Sequence, residues 1–127
     1  MSFLDKIFGG KQEDNQSKTF WNPIQSEQDL EDAVKRSYEQ KIAVFKHSTS
    51  CFISKTVLRN FEKEIEQAEK QEVVFYFLDL LAYRSISNKI AEDFAIRHES
   101  PQLIVIENGK AINSASHQDI TLSQITS

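Results

Sequence analysis

Residues 42–54 read IAVFKHSTSCFIS, a segment that holds a predicted strand, a short connection and the start of a predicted helix. The run from Ile42 to Lys46 is typical of a buried strand, and residues 47–50 form the connection. Cys51, the only cysteine of the chain, then begins the helix with Phe52-Ile53-Ser54. A thiol in the first turn of a helix meets unpaired backbone N–H groups and the positive end of the helix dipole, both of which favour the thiolate. The position therefore predicts a nucleophile, and the alternative is a small apolar residue packed under the helix.

Length and composition narrow the classes of function. The chain has 127 residues, of which 39% are hydrophobic and 27% charged, with a formal net charge of −4, as expected of one globular domain. No Lys/Arg stripe indicates nucleic-acid binding, and no apolar run reaches the roughly 20 residues that span a bilayer. A single cysteine excludes an intramolecular disulfide and a cysteine-based zinc site. We therefore expect monothiol chemistry with no metal and no tightly bound cofactor.

The N-terminal residues are predicted to lie outside the folded domain. Residues 1–18 begin with a short apolar patch and continue as a polar, glycine-led stretch, which indicates a flexible segment before a domain over residues 19–127. Asp5 and Lys6 interrupt the patch, so it does not resemble a secretory signal. We expect a cytoplasmic location, because a reducing compartment keeps a free thiol reactive.

The order of predicted elements indicates the fold class. Ser26 is the predicted N-cap of the first helix, and Asn108-Gly109 is a hairpin signal between the last two strands. Ser85 or Ser87 is expected to cap the third helix, and a short closing helix is expected after Ser116 or Thr121. The resulting order is α-β-α-β-α-β-β-α. It predicts an α/β, thioredoxin-like fold, in which a central four-stranded mixed sheet has helices on both faces.

Three side chains near Cys51 are candidates for tuning its reactivity. Ser54 lies one helical turn on, in a C-x-x-S pattern, and its hydroxyl is expected to hydrogen-bond the thiolate. Lys46 and His47 precede the connection, and a nearby cation would favour the thiolate. Alternation along the strand sends these two to opposite faces, so at most one should approach Cys51. For His47 the alternative is a hydrogen bond that orders the loop.

Ser100-Pro101 directly precedes the predicted strand from Leu103 to Ile106. A proline at a strand entrance can be a simple edge residue. In thioredoxin-like folds, however, a cis-proline at this entrance lies beside the active cysteine and leaves the preceding backbone free to pair with a substrate peptide. A cis bond costs only about 0.5–1 kcal/mol before proline. We therefore predict that the Ser100–Pro101 bond is cis.

Several sequence blocks resemble the YtxJ family of thioredoxin-like monothiol bacilliredoxins. The resemblance runs from about Trp21 to the last helix, and the blocks that begin at Phe45 and at His98 are the most specific. The blocks are Trp21…Pro23-Ile24…Ser26, Phe45-Lys46-His47-Ser48-Thr49, Cys51-x-Ile53-Ser54, Tyr83-Arg84-x-Ile86-Ser87 and His98-Glu99-Ser100-Pro101-Gln102.

This resemblance implies that bacillithiol, a small thiol, is removed from mixed disulfides on protein cysteines. S-thiolated proteins would be the partners and bacillithiol the cosubstrate, with Cys51 as nucleophile and Ser100-Pro101 as substrate clamp. The family usually has proline directly after its cysteine, whereas this chain has Ser50 before and Phe52 after. Phe52 adds an N–H donor and an apolar surface, and both flanking residues are expected to contact substrate.

Two other functions are compatible with a thioredoxin-like chain. The first is a non-catalytic stress protein that binds partners through the cis-proline groove, with a cysteine that is merely capped during oxidation. The second is a thiol peroxidase, which is disfavoured because the Pro-x-x-x-Thr-x-x-Cys setting of such enzymes is missing around Cys51.

Overall fold

The computed structural model of the protein describes residues 20–68 and 73–126. The predicted flexible segment over residues 1–18 lies outside these ranges. One five-stranded sheet, in the order β1-β3-β2-β4-β5, forms the centre of the described part. In chain order the elements are β1 (Trp21–Pro23), α1 (Glu27–Arg36), β2 (Ile42–His47), α2 (Phe52–Gln67), β3 (Val74–Asp79), α3 (Arg84–Asp93), β4 (Gln102–Glu107), β5 (Lys110–Ser116), a 3₁₀ turn (His117–Asp119) and α4 (Ser123–Thr126).

The sheet is mixed, as predicted, but it has one strand more than the four expected. β2 pairs in parallel with β3 and antiparallel with β4, and β4 forms a hairpin with β5. The additional strand, β1, pairs in parallel with β3 at the edge of the sheet. It is only three residues long and ends in Pro23, so it is too short to show the alternation by which strands are recognised.

Every residue of the central strand β2 is buried, because helices cover both faces of the sheet. Ile42 and Val44 pack in one apolar cluster with residues of α1 and α3. Ala43 and Phe45 pack in the other with residues of α2 and α4. By the same alternation Lys46 extends toward α3 and His47 toward α2.

Capping and turn residues explain where several elements begin and end. The Ser26 hydroxyl accepts the Asp29 N–H at 3.0 Å, so the predicted N-cap of α1 is confirmed. Asn108 and Gly109 have φ values of 54° and 75°, the two positive values of a type I′ hairpin turn.

The predicted start of α3 is wrong by a few residues, and the predicted caps of the closing helix are right only in part. Tyr83, not Ser85 or Ser87, is the N-cap of α3, and Ser87 is buried inside that helix. Ser116 is the N-cap residue of the 3₁₀ turn, but its hydroxyl makes no cap bond and donates to the Glu99 carboxylate instead. α3 and the 3₁₀ turn begin without a side-chain cap bond, which is why the serine signal did not locate the start of α3. α4 begins at Ser123, two residues after Thr121.

The single tryptophan joins the edge of the sheet to helix α2. Its ring lies 6.4 Å from that of Phe61 and 6.0 Å from that of Phe75, measured between centroids. The indole N–H of Trp21 donates to Glu62 on α2 at 2.7 Å. Aromatic packing and this hydrogen bond together hold α2 against the sheet.

Candidate active site

Cys51 occupies the N-cap position of α2 with an extended backbone. Its N–H donates to the Ser48 carbonyl at 3.2 Å, and its carbonyl accepts the Lys55 N–H at 3.1 Å. The residue is partly exposed, and its side chain makes no capping hydrogen bond. The backbone is therefore fixed on both sides while the sulfur is not used to hold the helix.

Ser54 is fully buried and bonds to the connection between β2 and α2. Its hydroxyl oxygen accepts the Ser48 N–H at 3.1 Å and lies 2.8 Å from Nδ1 of His47. Burial lowers the pKa of His47, with Asp79 acting in the opposite direction and Lys55 in the same one, so the ring is neutral near pH 7. The Ser54 hydroxyl and Nδ1 of the neutral ring therefore share one hydrogen bond, whose donor depends on the tautomer of the ring.

This arrangement differs from the hydrogen bond expected between Ser54 and the thiolate. Within residues 20–68 and 73–126 the Ser54 hydroxyl has its partners in His47 and Ser48, and none in Cys51. His47 therefore does not contact the thiol as an activating group, and its hydrogen bond orders the loop instead. Ser54 and His47 thus hold the connection that presents Cys51.

Lys46 lies on the other side of the sheet from His47 and does not approach Cys51. Its amine is fully buried, donates to the Ser87 carbonyl at 3.0 Å and lies 3.4 Å from Nδ1 of His98. Burial lowers the pKa of Lys46 to about 8. The expected role as an activating cation at the sulfur therefore has no contact to support it.

The Ser100–Pro101 peptide bond is cis, as predicted from the sequence. Gln102, the next residue, is the Cα partner of Lys46 across β2 and β4. Because the strands are antiparallel, the end of β2 that leads to Cys51 and the start of β4 lie at the same edge of the sheet. The Ser100 hydroxyl oxygen is buried there and has no hydrogen-bond partner among the described residues.

An apolar surface continues from the cysteine along the first turn of α2. Phe52 is 80% exposed and Ile53 is 44% exposed, both high values for large hydrophobic side chains. They line a shallow cleft of about 210 Å³ together with Ile120, from the chain after the 3₁₀ turn. Ser50, on the other side of the cysteine, is also exposed. A thiol with an adjacent apolar surface suits a protein substrate.

The structure reveals residues that the sequence interpretation did not connect to the site. The Ser87 carbonyl accepts a hydrogen bond from the buried Lys46 amine, which also lies near His98, and the Ser48 N–H donates to Ser54. No periodicity or motif marks such contacts.

In the described part of the chain, no group of three or more His, Cys, Asp or Glu side chains could hold a metal ion. None of its helices has the length and apolar character needed to cross a membrane.

Replacing Ser54 with alanine is expected to lower the free energy of unfolding by about 1–3 kcal/mol, because the buried Ser48 N–H and His47 ring would lose their partner. Urea titration followed by circular dichroism at pH 7 measures the change. Ser85→Ala, an exposed serine in the first turn of α3, is the matched control and should stay within about 0.5 kcal/mol of wild type. Equal effects of the two substitutions would contradict the positioning role of Ser54.

Comparisons with known proteins agree with this geometry. The family described as Monothiol bacilliredoxin BrxC matches residues 22–125. A solved protein with a thioredoxin fold is 26% identical, with a TM-score of 0.74 over 86% of this chain and 93% of its own. Thioredoxins from Malassezia sympodialis (18% identity, TM-score 0.65, covering 78% of this chain and 82% of theirs) and Fasciola hepatica (20%, 0.63, covering 82% and 95%) share the fold. The chain belongs to the monothiol bacilliredoxin family, with the thioredoxin fold and a thiol oxidoreductase class of function.

Proposed function

We propose that this protein removes bacillithiol from mixed disulfides on protein cysteines. The observation that carries the proposal is the position of Cys51: partly exposed, at the N-terminus of α2, with a sulfur free of any capping hydrogen bond. The family match supports thiol–disulfide exchange as the class of reaction. The chain's lack of a second cysteine requires that the resolving thiol come from another molecule.

The reaction consists of two exchange steps. The Cys51 thiolate attacks the bacillithiol sulfur of the mixed disulfide, the S–S bond breaks, and the protein leaves as a thiolate that takes a proton from solvent. Cys51 then carries bacillithiol in a new disulfide. A second bacillithiol thiolate attacks the bacillithiol sulfur of that disulfide, which releases the disulfide of two bacillithiols and regenerates the Cys51 thiolate. Attack on the protein sulfur would instead leave two proteins cross-linked, with no thiol in the chain to resolve them.

The protein part of the substrate would bind on the surface around Cys51. In this proposal Ser100 and Pro101 hold the substrate backbone, and the backbone before the cis-proline pairs with it. Phe52 and Ser50 contact the residues that flank the modified cysteine. The exposure of Phe52 supports this placement, since an apolar ring in water gains from being covered by a partner.

Mass spectrometry of a single turnover tests the proposal. The reduced protein is mixed one to one with a bacillithiolated protein in the absence of other thiols. We expect the substrate to lose the bacillithiol mass and the peptide that contains Cys51 to gain it. A parallel reaction uses the same substrate carrying glutathione, and we expect transfer that is at least about tenfold slower.

Two results would contradict the proposal. A stable complex without transfer of either small thiol would indicate the non-catalytic binding protein. Equal transfer of glutathione and bacillithiol would contradict the choice of small thiol and leave the exchange chemistry intact.

A further inference from the structure

Lys46 is a buried cation that the exchange reaction does not use. Its side chain is fully buried, although it lies on the strand that leads to Cys51. Within the described residues no carboxylate lies at ion-pair distance from its amine. Burying a charge without an opposite charge is costly, so the hydrogen bonds of this amine are what offsets its burial.

The Lys46 amine connects three parts of the structure. It donates from β2 to the Ser87 carbonyl on α3 at 3.0 Å, and it lies 3.4 Å from Nδ1 of His98 in the loop before β4. Because lysine only donates, Nδ1 is the acceptor and the ring proton is on Nε2. Burial, Lys46 and Arg84 lower the pKa of His98, while Glu99 acts in the opposite direction, so this ring is also neutral near pH 7.

The loop from His98 to Pro101 has few other fixed points. The Pro101 carbonyl accepts the His117 N–H at 3.0 Å, and the Glu99 carboxylate accepts the Ser116 hydroxyl. Both contacts come from the far side, at the end of β5. On the near side the Ser87 hydroxyl of α3 also lies 3.4 Å from Nδ1 of His98. Lys46 contacts the loop from β2, the strand that also carries the connection to Cys51.

We infer that Lys46 is a positioning residue which, by holding His98 from β2, sets the placement of Ser100–Pro101 relative to Cys51 and so the affinity for the protein part of the substrate. The inference rests on the proposed function, in which Ser100 and Pro101 hold the substrate backbone. It adds a residue that acts through His98, without touching either the sulfur or the substrate.

Lys46→Met tests this role, because methionine has a similar length and no hydrogen-bond donor. We expect the KM for a bacillithiolated protein to rise about tenfold or more, since a displacement near 1 Å can cost up to about 100-fold. The rates of reaction of Cys51 with iodoacetamide and with bacillithiol disulfide should change less than about twofold, because neither reagent needs the loop. His98→Phe keeps a ring and removes the acceptor. It should likewise raise the KM for the protein substrate and leave the rates with the two small reagents nearly unchanged.

Lys89 is a partly exposed lysine of α3 paired with Asp93, and Lys89→Met is the matched control. It should leave the KM and the rates with both small reagents unchanged. An unchanged KM in Lys46→Met would overturn the inference. A comparable fall in the rates with iodoacetamide and with bacillithiol disulfide would overturn it as well, because Lys46 would then act on Cys51 itself.

Amide hydrogen exchange gives a readout that does not depend on activity. In Lys46→Met the His117 amide, which donates to the Pro101 carbonyl, should exchange about tenfold faster if the loop is released. If the wild-type protein transfers no bacillithiol, the proposed function fails, and this measurement still decides whether Lys46 holds the loop. Equal exchange in wild type and variant would show that it does not.

Discussion

Replacing Cys51 with serine is expected to abolish bacillithiol removal, with a loss on the order of 10³-fold or more in kcat/KM. Serine keeps the size of the side chain and is a favourable N-cap residue, so the start of α2 should be preserved. Its hydroxyl does not ionise near neutral pH, and the chain contains no other cysteine to take over. Release of bacillithiol from a modified protein, followed by mass spectrometry over time, measures the loss.

Phe52→Pro is the control for this experiment. Phe52 is the first residue of α2, a position where proline is well tolerated, and proline restores the residue usual in the family. We expect this variant to keep exchange within about tenfold of wild type and to change the ranking of protein substrates, since the exposed ring is lost. Bacillithiol removal that persists in Cys51→Ser would refute the assignment of the nucleophile.

Lys46→Met is expected to raise the free energy of unfolding at pH 7 by about 2 kcal/mol. Burial lowers the pKa of Lys46 from 10.5 to about 8. Each pKa unit corresponds to about 1.4 kcal/mol, so the folded state loses about 3 kcal/mol by holding the protonated amine. Methionine removes this loss, but it also removes the hydrogen bonds of the amine, which costs about 1 kcal/mol. The variant would thus be more stable and less able to bind its substrate. Such a trade-off between stability and function is common when a functional residue is replaced.

The stability difference between Lys46→Met and wild type is expected to depend on pH in a defined direction. Below pH 8 the amine is protonated in both the folded and the unfolded chain, so the penalty is fully present in wild type. Between pH 8 and pH 10.5 the unfolded chain binds more protons, and wild-type stability rises with pH through this group. The stability difference between variant and wild type should therefore be largest below pH 8 and shrink toward pH 10.

Urea titrations of both proteins at pH 7, 9 and 10 measure the difference. Titratable groups that do not interact with Lys46 cancel in it, whereas the pKa of His98, which Lys46 lowers, is expected to rise in the variant. Lys89→Met, whose amine is paired with Asp93 at the surface, should show no gain at any of these pH values. A lower stability of Lys46→Met at pH 7 would mean that the buried amine contributes more through its hydrogen bonds than its burial costs.

Local signals in the sequence were sufficient for much of the fold. Ser26 and the Asn108-Gly109 turn act within a few residues, so their effects could be predicted without knowledge of the tertiary structure. The extra edge strand was missed because Trp21–Pro23 forms a strand only by pairing with β3, about 50 residues later in the chain.

The site was predictable in outline and not in its contacts. The place of Cys51 follows from the junction of β2 and α2, and alternation along β2 correctly separates Lys46 from His47. The inward direction of Ser54 depends on the fold of the connection, since its partners include His47, seven residues earlier. Lys46 and His98 are 52 residues apart, and the pairing of β2 with β4, together with the packing of α3 on the sheet, brings them together.

The indole of Trp21 gives the protein a built-in optical reporter. It is the chain's single tryptophan, and its N–H donates to Glu62 on α2, the helix whose N-cap is Cys51. A shift of α2 away from the sheet would expose this fluorophore to water and move its emission to longer wavelength. Stopped-flow fluorescence can therefore show whether the helix moves when Cys51 takes up the small thiol, without an added dye.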